Sequence, residues 1–368
     1  MVLSGKKILS FDWILFLVIL FLIIFGLVIQ YSLSLNVPFN IANLFIRQLI
    51  FAIIGISFLF LVSSVDFRNL KPLIYFIYII TNLLLVAVLF FGETIRGAKG
   101  WFHYGFINFQ PVELAKVAVI LVLAYFWGLS KKKEVSIKTI FLSFLIIILP
   151  VALILKQPDL GSALVIIGLW LIFLLIVDNN IKHFIALSLI IVILFSVGWF
   201  VWLKDYQKTR LMIYLEPGRD PLGKGYQINQ SIITVGSGKL FGRGLGFGPQ
   251  SQLRFLPLSE TDFVFATIGE ETGFLGAGLV LIFFLVIIRR ILKIAKKAYD
   301  QFGSLIAIGV SAYIFIQLII NVGMNIGLMP IIGIPLPFLS YGGSSLVSSL
   351  LAIGLVESIA IHQPRIEV

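Results

Sequence analysis

Four ionisable side chains fall where long apolar stretches begin or end, and their types suit proton transfer or the binding of an anion. Asp262 lies in Leu258-Ser-Glu-Thr-Asp-Phe-Val-Phe265, where a polar segment gives way to an apolar one. A carboxylate at such a boundary can take a proton from a bound hydroxyl. Ser259 and Asp262 also fit the Ser-x-x-Asp capping pattern, so a helix cap is the structural alternative. Glu113 and Lys116, in Pro111-Val-Glu-Leu-Ala-Lys116, stand three residues apart with the acid first, the better order for an ion pair on one helix face. They read equally well as a salt bridge fixing two helices and as a ligand-facing pair. Asp159, in Lys156-Gln-Pro-Asp-Leu-Gly161, sits in a tight turn, where aspartate is a common cap.

The elements that must position these groups follow from composition. Hydrophobic residues make up 60% of the 368 and charged residues 12%, about half the charged share of an average soluble domain. A helix crosses hydrocarbon with about 20 apolar residues. Stretches near that length run from Trp13 to Ile29, Leu49 to Val65, Pro72 to Phe91, Val117 to Leu129, Thr139 to Leu155, Ser162 to Val177, Phe184 to Leu203 and Thr272 to Ile288. No charge appears between Asp300 and Glu357, which leaves room for two more. The fold class expected is therefore an all-α polytopic membrane protein with ten spans, a single integral domain over 1–368. The first stretch has no small-residue cleavage site after it and is expected to remain as a span.

Lys and Arg in short loops favour the cytoplasm. Lys6, Lys7, Arg68, Lys71, Lys131, Lys132, Lys133, Lys138, Lys182 and the Arg289 to Lys297 cluster share one side of a ten-span alternation. That assigns both termini to the cytoplasm and the carboxylates above to the outer face, in a bacterial inner membrane. Helix four spans only if Glu113 and Lys116 lie within it, where charged groups usually face a bundle interior or cavity. Arg47, Arg96, Lys99, Lys116, Arg210, Arg219, Lys239, Arg243 and Arg254 are among the cations left on the outer side. Long loops cross regardless of charge, which accounts for part of this surplus; an anionic ligand at the outer face accounts for it more directly. With that distribution the net charge of +11 does not call for nucleic acid.

Residues 204–261 form the only long connection expected, rich in glycine, with helix around Tyr226 to Val235; loops of this size in a compact protein are usually functional or disordered. A second irregular segment, 322–345, carries Pro330, Pro335 and Pro337 between spans nine and ten. Non-helical backbone at membrane depth is tolerated only where protein buries it or where it lines a watery cavity. The absence of cysteine excludes disulfides and thiolate metal sites. His103, His183 and His362 are scattered without ligand spacing, which argues against zinc, and no phosphate-cradling glycine motif joins a strand to a helix.

Several longer motifs carry a resemblance: Arg96-Gly-Ala-Lys-Gly-Trp101, Gln110-Pro-Val-Glu-Leu-Ala-Lys116, Gln157-Pro-Asp-Leu-Gly161, Gly225-Tyr-Gln-Ile-Asn-Gln-Ser231, Gly236-Ser-Gly-Lys-Leu-Phe-Gly242, Thr261-Asp-Phe263 and Gly333-Ile-Pro-Leu-Pro-Phe-Leu-Ser-Tyr-Gly-Gly-Ser-Ser345. Together and in this order they resemble the SEDS family of bacterial peptidoglycan polymerases, from first span to last. The RodA branch fits best, on Asn325-Ile-Gly-Leu-Met-Pro330 and the compact ends, with FtsW next. Gly100 and Val112 depart from the family pattern without touching the proposed catalytic group. The resemblance implies an essential aspartate at Asp262 and cavity roles for Glu113, Lys116 and Asp159. It also brings in Gln227, Ser231 and Ser344 as substrate-binding candidates.

The substrate so implied is lipid II, a disaccharide-pentapeptide on polyprenyl pyrophosphate. Asp262 is expected to deprotonate the acceptor GlcNAc 4-hydroxyl as it attacks the donor MurNAc anomeric carbon in one inverting step that releases polyprenyl pyrophosphate. Pyrophosphate is a good leaving group that needs charge stabilisation rather than a second acid. Lys116, Arg210 and Arg96 are the first candidates for it, then Arg47, Lys239 and Arg243. Asp159 or Asp262 could hold a divalent cation, Mg or Mn, with the pyrophosphate; no organic cofactor is expected. The partner implied is a class B penicillin-binding transpeptidase. A lipid-linked precursor flippase and a non-enzymatic scaffold are the rival classes.

Overall fold

A chain in hydrocarbon must satisfy its own backbone polar groups, so apolar segments become helices, and whatever is not helical must find partners inside the bundle. The computed structural model describes residues 10–35, 39–95, 97–105, 107–129, 135–178, 181–183, 185, 187, 189, 212–220 and 223–363. The helices are α1 (Trp13–Ser34), α2 (Phe39–Ser64), α3 (Ile74–Phe91, preceded by a 3-10 turn Phe67–Leu73), α4 (Pro111–Gly128), α5 (Ile137–Lys156), α6 (Leu160–Val177), α7 (Lys224–Ser237), α8 (Pro249–Gln252), α9 (Val264–Lys297), α10 (Gln301–Asn325) and α11 (Gly343–Ile361). Among the described residues nine helical segments are long and apolar enough to cross a membrane, which makes this a multi-pass membrane protein. Most of the expected seventh span, Phe184 to Leu203, lies outside the described residues, as do Arg96 and Arg210.

Burial sorts the spans. In α4 and α11, 78% of the apolar stretch is buried and in α10 67%, against 22% in α2 and 28% in α9, so α4, α11 and α10 form the centre while α2 and α9 present most of their surface outward. This is why α4 can carry Glu113 and Lys116 one turn inside its start: its environment is protein. α2 and α11 approach closely through small residues, as membrane helices do. A Cβ on Gly354 would come within 2.8 Å of the Leu59 carbonyl, and one on Gly55 within 2.5 Å of the Leu350 side chain.

Two connections differ from expectation. The 204–261 loop is not the only long one: Gly92 to Gln110 folds as a three-stranded antiparallel sheet of β1 (Glu93–Ile95), β2 (Ala98–Tyr104) and β3 (Ile107–Phe109). β1 and β3 have three residues each, and β2 carries Gly100 within its seven, which leaves no alternation long enough to read. The eighth span also begins earlier than Thr272. α9 starts at Val264 and breaks at Gly273, whose φ of 71° is the left-handed region that favours glycine. The chain at 238–246 lies against this break and supplies the missing partners. Phe274 and Leu275 donate N–H to the carbonyls of Lys239 and Leu240, and Arg243 and Gly244 donate to the carbonyls of Glu270 and Glu271. A Cβ at Gly238 would fall 1.8 Å from the Gly269 oxygen, so only glycine allows this approach.

At the opposite end of the bundle, Arg290 forks onto the Asp12 carboxylate at 2.7 Å. The Asp12 N–H donates to Glu357 at 2.9 Å, and Ser358 donates to the Val65 carbonyl. The start of α1 and the ends of α2, α9 and α11 are thereby tied together.

Candidate active site

The irregular segment 326–342 is the hub of the Asp262 end, because its own hydrogen-bonding groups must be met by neighbours. Ser340 Oγ donates to the Thr261 carbonyl at 2.6 Å and accepts from the Leu336 N–H. Tyr341 N–H donates to the Glu260 carbonyl. Gln48 donates to the Ser340 carbonyl and accepts from the Gly342 N–H, and Gln30 donates to the Leu339 carbonyl. Ser344, the candidate from the last motif, accepts from Gln110 N–H and donates to the Asn108 carbonyl, each at 3.0 Å. It joins the sheet and the start of α4 to α11. Asp262, Asp159, Arg47 and the first turn of α4 are thus gathered around one segment.

Asp262 is buried, and Gly333 approaches it so closely that a Cβ there would stand 3.4 Å from Oδ2. Its place in the fold differs from that of a cap. The N-cap position of α9 is Phe263, with no side-chain cap bond. The cap comes instead from Asn325, whose Oδ1 accepts the Ala266 N–H at 2.9 Å. Asn325 and Asn321 both donate to the Asp262 carbonyl at 3.0 Å, and Asn321 also donates to the Ile334 carbonyl at 2.8 Å. Two buried amides one turn apart on α10 therefore fix the backbone of Asp262, and one of them also caps the helix that follows. Ser231 contributes to the same support by donating to the Asn325 carbonyl.

Asn325→Ala should cost about 1 to 3 kcal/mol through the buried groups it strands. Activity should fall further than the unfolded fraction explains, because the aspartate backbone loses its restraint. Thermal unfolding and turnover measured on the same preparation check this.

Asp159 is the N-cap of α6: Oδ1 accepts Ser162 N–H at 3.0 Å and Oδ2 accepts Ser162 Oγ at 2.7 Å. The turn abuts the hub, since a Cβ on Gly161 would touch Ile332 and Ile334. Asp159 and Asp262 thus stand beside the same Ile332 to Ile334 segment. Glu113 and Lys116 form a buried ion pair at 2.7 Å, with side-chain exposures of 2% and 1%. The Tyr313 hydroxyl donates to Glu113 Oε2 at 3.4 Å, and its ring lies 5.7 Å from the Lys116 ammonium. Arg47 hydrogen-bonds the Tyr341 phenol. Burial raises that phenol above its ordinary range, with Arg47 opposing and Glu260 adding to the rise, so Tyr341 stays a neutral hydroxyl.

Lys239 and Arg243 are exposed and stand against the Gly273 break, with Arg243 Nε donating to the Ser237 carbonyl. Nine residues of helix, roughly 14 Å at 1.5 Å per residue, separate that level from Asp262. Gln227 is half-buried on α7. Two residues without a sequence assignment acquire clear partners. Glu270 accepts the N–H groups of Gln250 and Ser251 at 2.9 and 3.0 Å. Glu271 Oε1 accepts Ser32 Oγ, Gly246 N–H and Gln252 Nε2. These carboxylates hold the glycine-rich loop into the bundle. A doubled acid inside an apolar run is the signal for them; the signal for Asn321 and Asn325 is an amide pair at i, i+4 in an apolar helix.

Residues 12–365 match the family FTSW_RODA_SPOVE, cell cycle protein. The chain is 39% identical over 309 residues to peptidoglycan glycosyltransferase MrdB of Escherichia coli K12, covering 82% of this chain and 83% of that one. It is 39% identical to stage V sporulation protein E of Bacillus subtilis strain 168 over 361 residues, 95% and 96% of the two chains. Among solved structures it is similar to a chain from work on the structural coordination of polymerization and crosslinking by a peptidoglycan synthase complex. That likeness has a TM-score of 0.80 at 32% identity and covers 96% of this chain and 99% of that one. It also resembles the Thermus thermophilus rod shape determining protein RodA, at a TM-score of 0.72 and 27% identity, over 96% and 98% of the two chains.

Proposed function

The chain belongs to the FtsW, RodA and SpoVE family, and on that premise we propose that this peptidoglycan glycosyltransferase polymerises lipid II with Asp262 as its general base. The single observation that carries the assignment is the position of Asp262, a carboxylate buried beside Gly333 at the start of α9, where the helix cap is supplied by Asn325. The acceptor GlcNAc 4-hydroxyl gives its proton to the Asp262 carboxylate as the oxygen bonds to the donor MurNAc anomeric carbon. The bond from that carbon to the pyrophosphate oxygen breaks with inversion, and polyprenyl pyrophosphate leaves with the electron pair.

The leaving group needs cations rather than an acid. Arg47 is the described cation tied to the hub, through Tyr341, and we assign the pyrophosphate to it together with Arg96 and Arg210. Lys116 would add its charge by exchanging Glu113 for the phosphate. The site so composed opens to the outer face of the inner membrane, both termini being cytoplasmic, and the elongation branch of the family is the finer assignment. A class B penicillin-binding transpeptidase is the proposed partner.

The carboxylates suit a divalent cation in one particular way. Among the described residues no three His, Asp or Glu side chains cluster as a dedicated cage, but Mg commonly binds one or two carboxylates together with substrate phosphates. Asp262 or Asp159 would be the protein ligand, and the ion would neutralise leaving-group charge. Removing divalent ions with EDTA should then lower turnover at least tenfold, with Mg or Mn restoring it; unchanged turnover would exclude the requirement.

Purified protein supplied with labelled lipid II, with and without the transpeptidase, tests the reading. Glycan ladders with release of polyprenyl pyrophosphate are expected. Movement of intact lipid II between vesicle leaflets without any polymer would support the flippase instead.

A further inference from the structure

From the chain at 239–247 we infer a phospholipid-binding hairpin that dips into the bilayer beside the break in α9 and holds an anionic headgroup between Lys239 and Arg243. The observation is an excess of uncovered apolar surface on a loop expected to lie in water. Phe241 is 80% exposed and Phe247 78%, and Leu240 and Leu245 are exposed beside them. Isolated apolar side chains on a surface need no explanation, but a contiguous patch of this kind marks an interaction site.

Depth is fixed by the backbone. Phe274 and Leu275, the first residues after the break, are exposed on a helix that spans the membrane, and their N–H groups bond the carbonyls of Lys239 and Leu240. The hairpin therefore sits at the level where the lipid-facing part of α9 begins. Phe241 and Phe247 project from that level. On the same short segment Lys239 and Arg243 are exposed, and residues Ser237 to Arg243 line an open concavity. Aromatic and aliphatic side chains beside two cations match the boundary between acyl chains and phosphates, the pattern of interfacial segments. The occupant is the bilayer itself, with an anionic lipid such as phosphatidylglycerol. The fixed geometry also serves it: Gly242, Gly244 and Gly246 all take positive φ, and Glu271 holds Gly246 by its N–H, so the hairpin is presented rather than left to fluctuate.

This inference does not depend on the glycosyltransfer reading, since its readouts are lipid contact and not polymer. The chain has no cysteine, so Phe241→Cys and Phe247→Cys each accept a single nitroxide label in otherwise unaltered protein. In nanodiscs of phosphatidylglycerol without any partner, both labels should be reached by dissolved oxygen and shielded from a water-soluble nickel complex. A label at the buried hub position Leu336→Cys should be shielded from both. Native mass spectrometry should show bound phosphatidylglycerol over phosphatidylcholine, and Lys239→Gln with Arg243→Gln should cut that preference by roughly thirtyfold. Labels open to nickel in lipid alone would overturn the proposal, as would shielding that appears only when the transpeptidase is added. An unchanged lipid preference in the double variant would overturn the headgroup site.

Discussion

Asp262→Asn should abolish glycan polymerisation, with turnover falling by roughly 10²- to 10⁴-fold, the range a positioned general base contributes. The amide matches the carboxylate in size, and the backbone of this residue is held whatever its side-chain charge: the carbonyl accepts from Asn321 and Asn325, and the helix cap is made by Asn325. Neither depends on the side-chain charge. The variant should therefore fold, keep its melting temperature within a few degrees and still bind lipid II. Turnover of labelled lipid II and thermal unfolding of the same preparation separate the outcomes. A variant that polymerises at the wild-type rate would remove Asp262 as the base, whereas one that is inactive but also unfolds would return the residue to a structural role. Asp262→Ala is less informative, because it opens space beside Gly333 as well as removing the base.

The spans were legible in the sequence because hydrocarbon allows almost nothing but helix over those stretches, and Asp262 was legible because it stands where polarity changes. Other features depend on residues far away in the chain. The cap of α9 is supplied from 59 residues downstream by Asn325, so a local pattern such as Ser259-x-x-Asp262 suggested the wrong acceptor. Gly273 looks like any glycine in an apolar run. It becomes a break only because 238–246 is present to take up the freed backbone groups, and the glycines at 238 and 242 make sense only against that break. Asp159 shows the reverse case: its capping role was the plain local reading, and it caps α6. The hub contact with Gly161 that brings it near Asp262 has no local trace.

Cavity character was also read from charge, and there Glu113 and Lys116 give the sharpest test. Both are buried, at 2.7 Å from each other, and Tyr313 bridges Glu113 toward Ser349. Removing one member of a buried pair leaves the other uncompensated, at a cost of about 3 to 5 kcal/mol. Lys116→Met alone and Glu113→Leu alone should each lower stability by that amount, a large part of what a protein has to lose. Replacing both at once removes both desolvation penalties, and stability should return to near the wild-type value. Activity then decides the role of the lysine. A pair that only joins helices predicts that the double variant regains turnover together with stability. A lysine that exchanges Glu113 for the substrate pyrophosphate predicts a stable double variant that still turns over slowly, with the loss in kcat because the charge is needed as the leaving group departs. The role proposed for Lys116 requires the second result, and recovery of full turnover would confine the pyrophosphate contacts to the arginines.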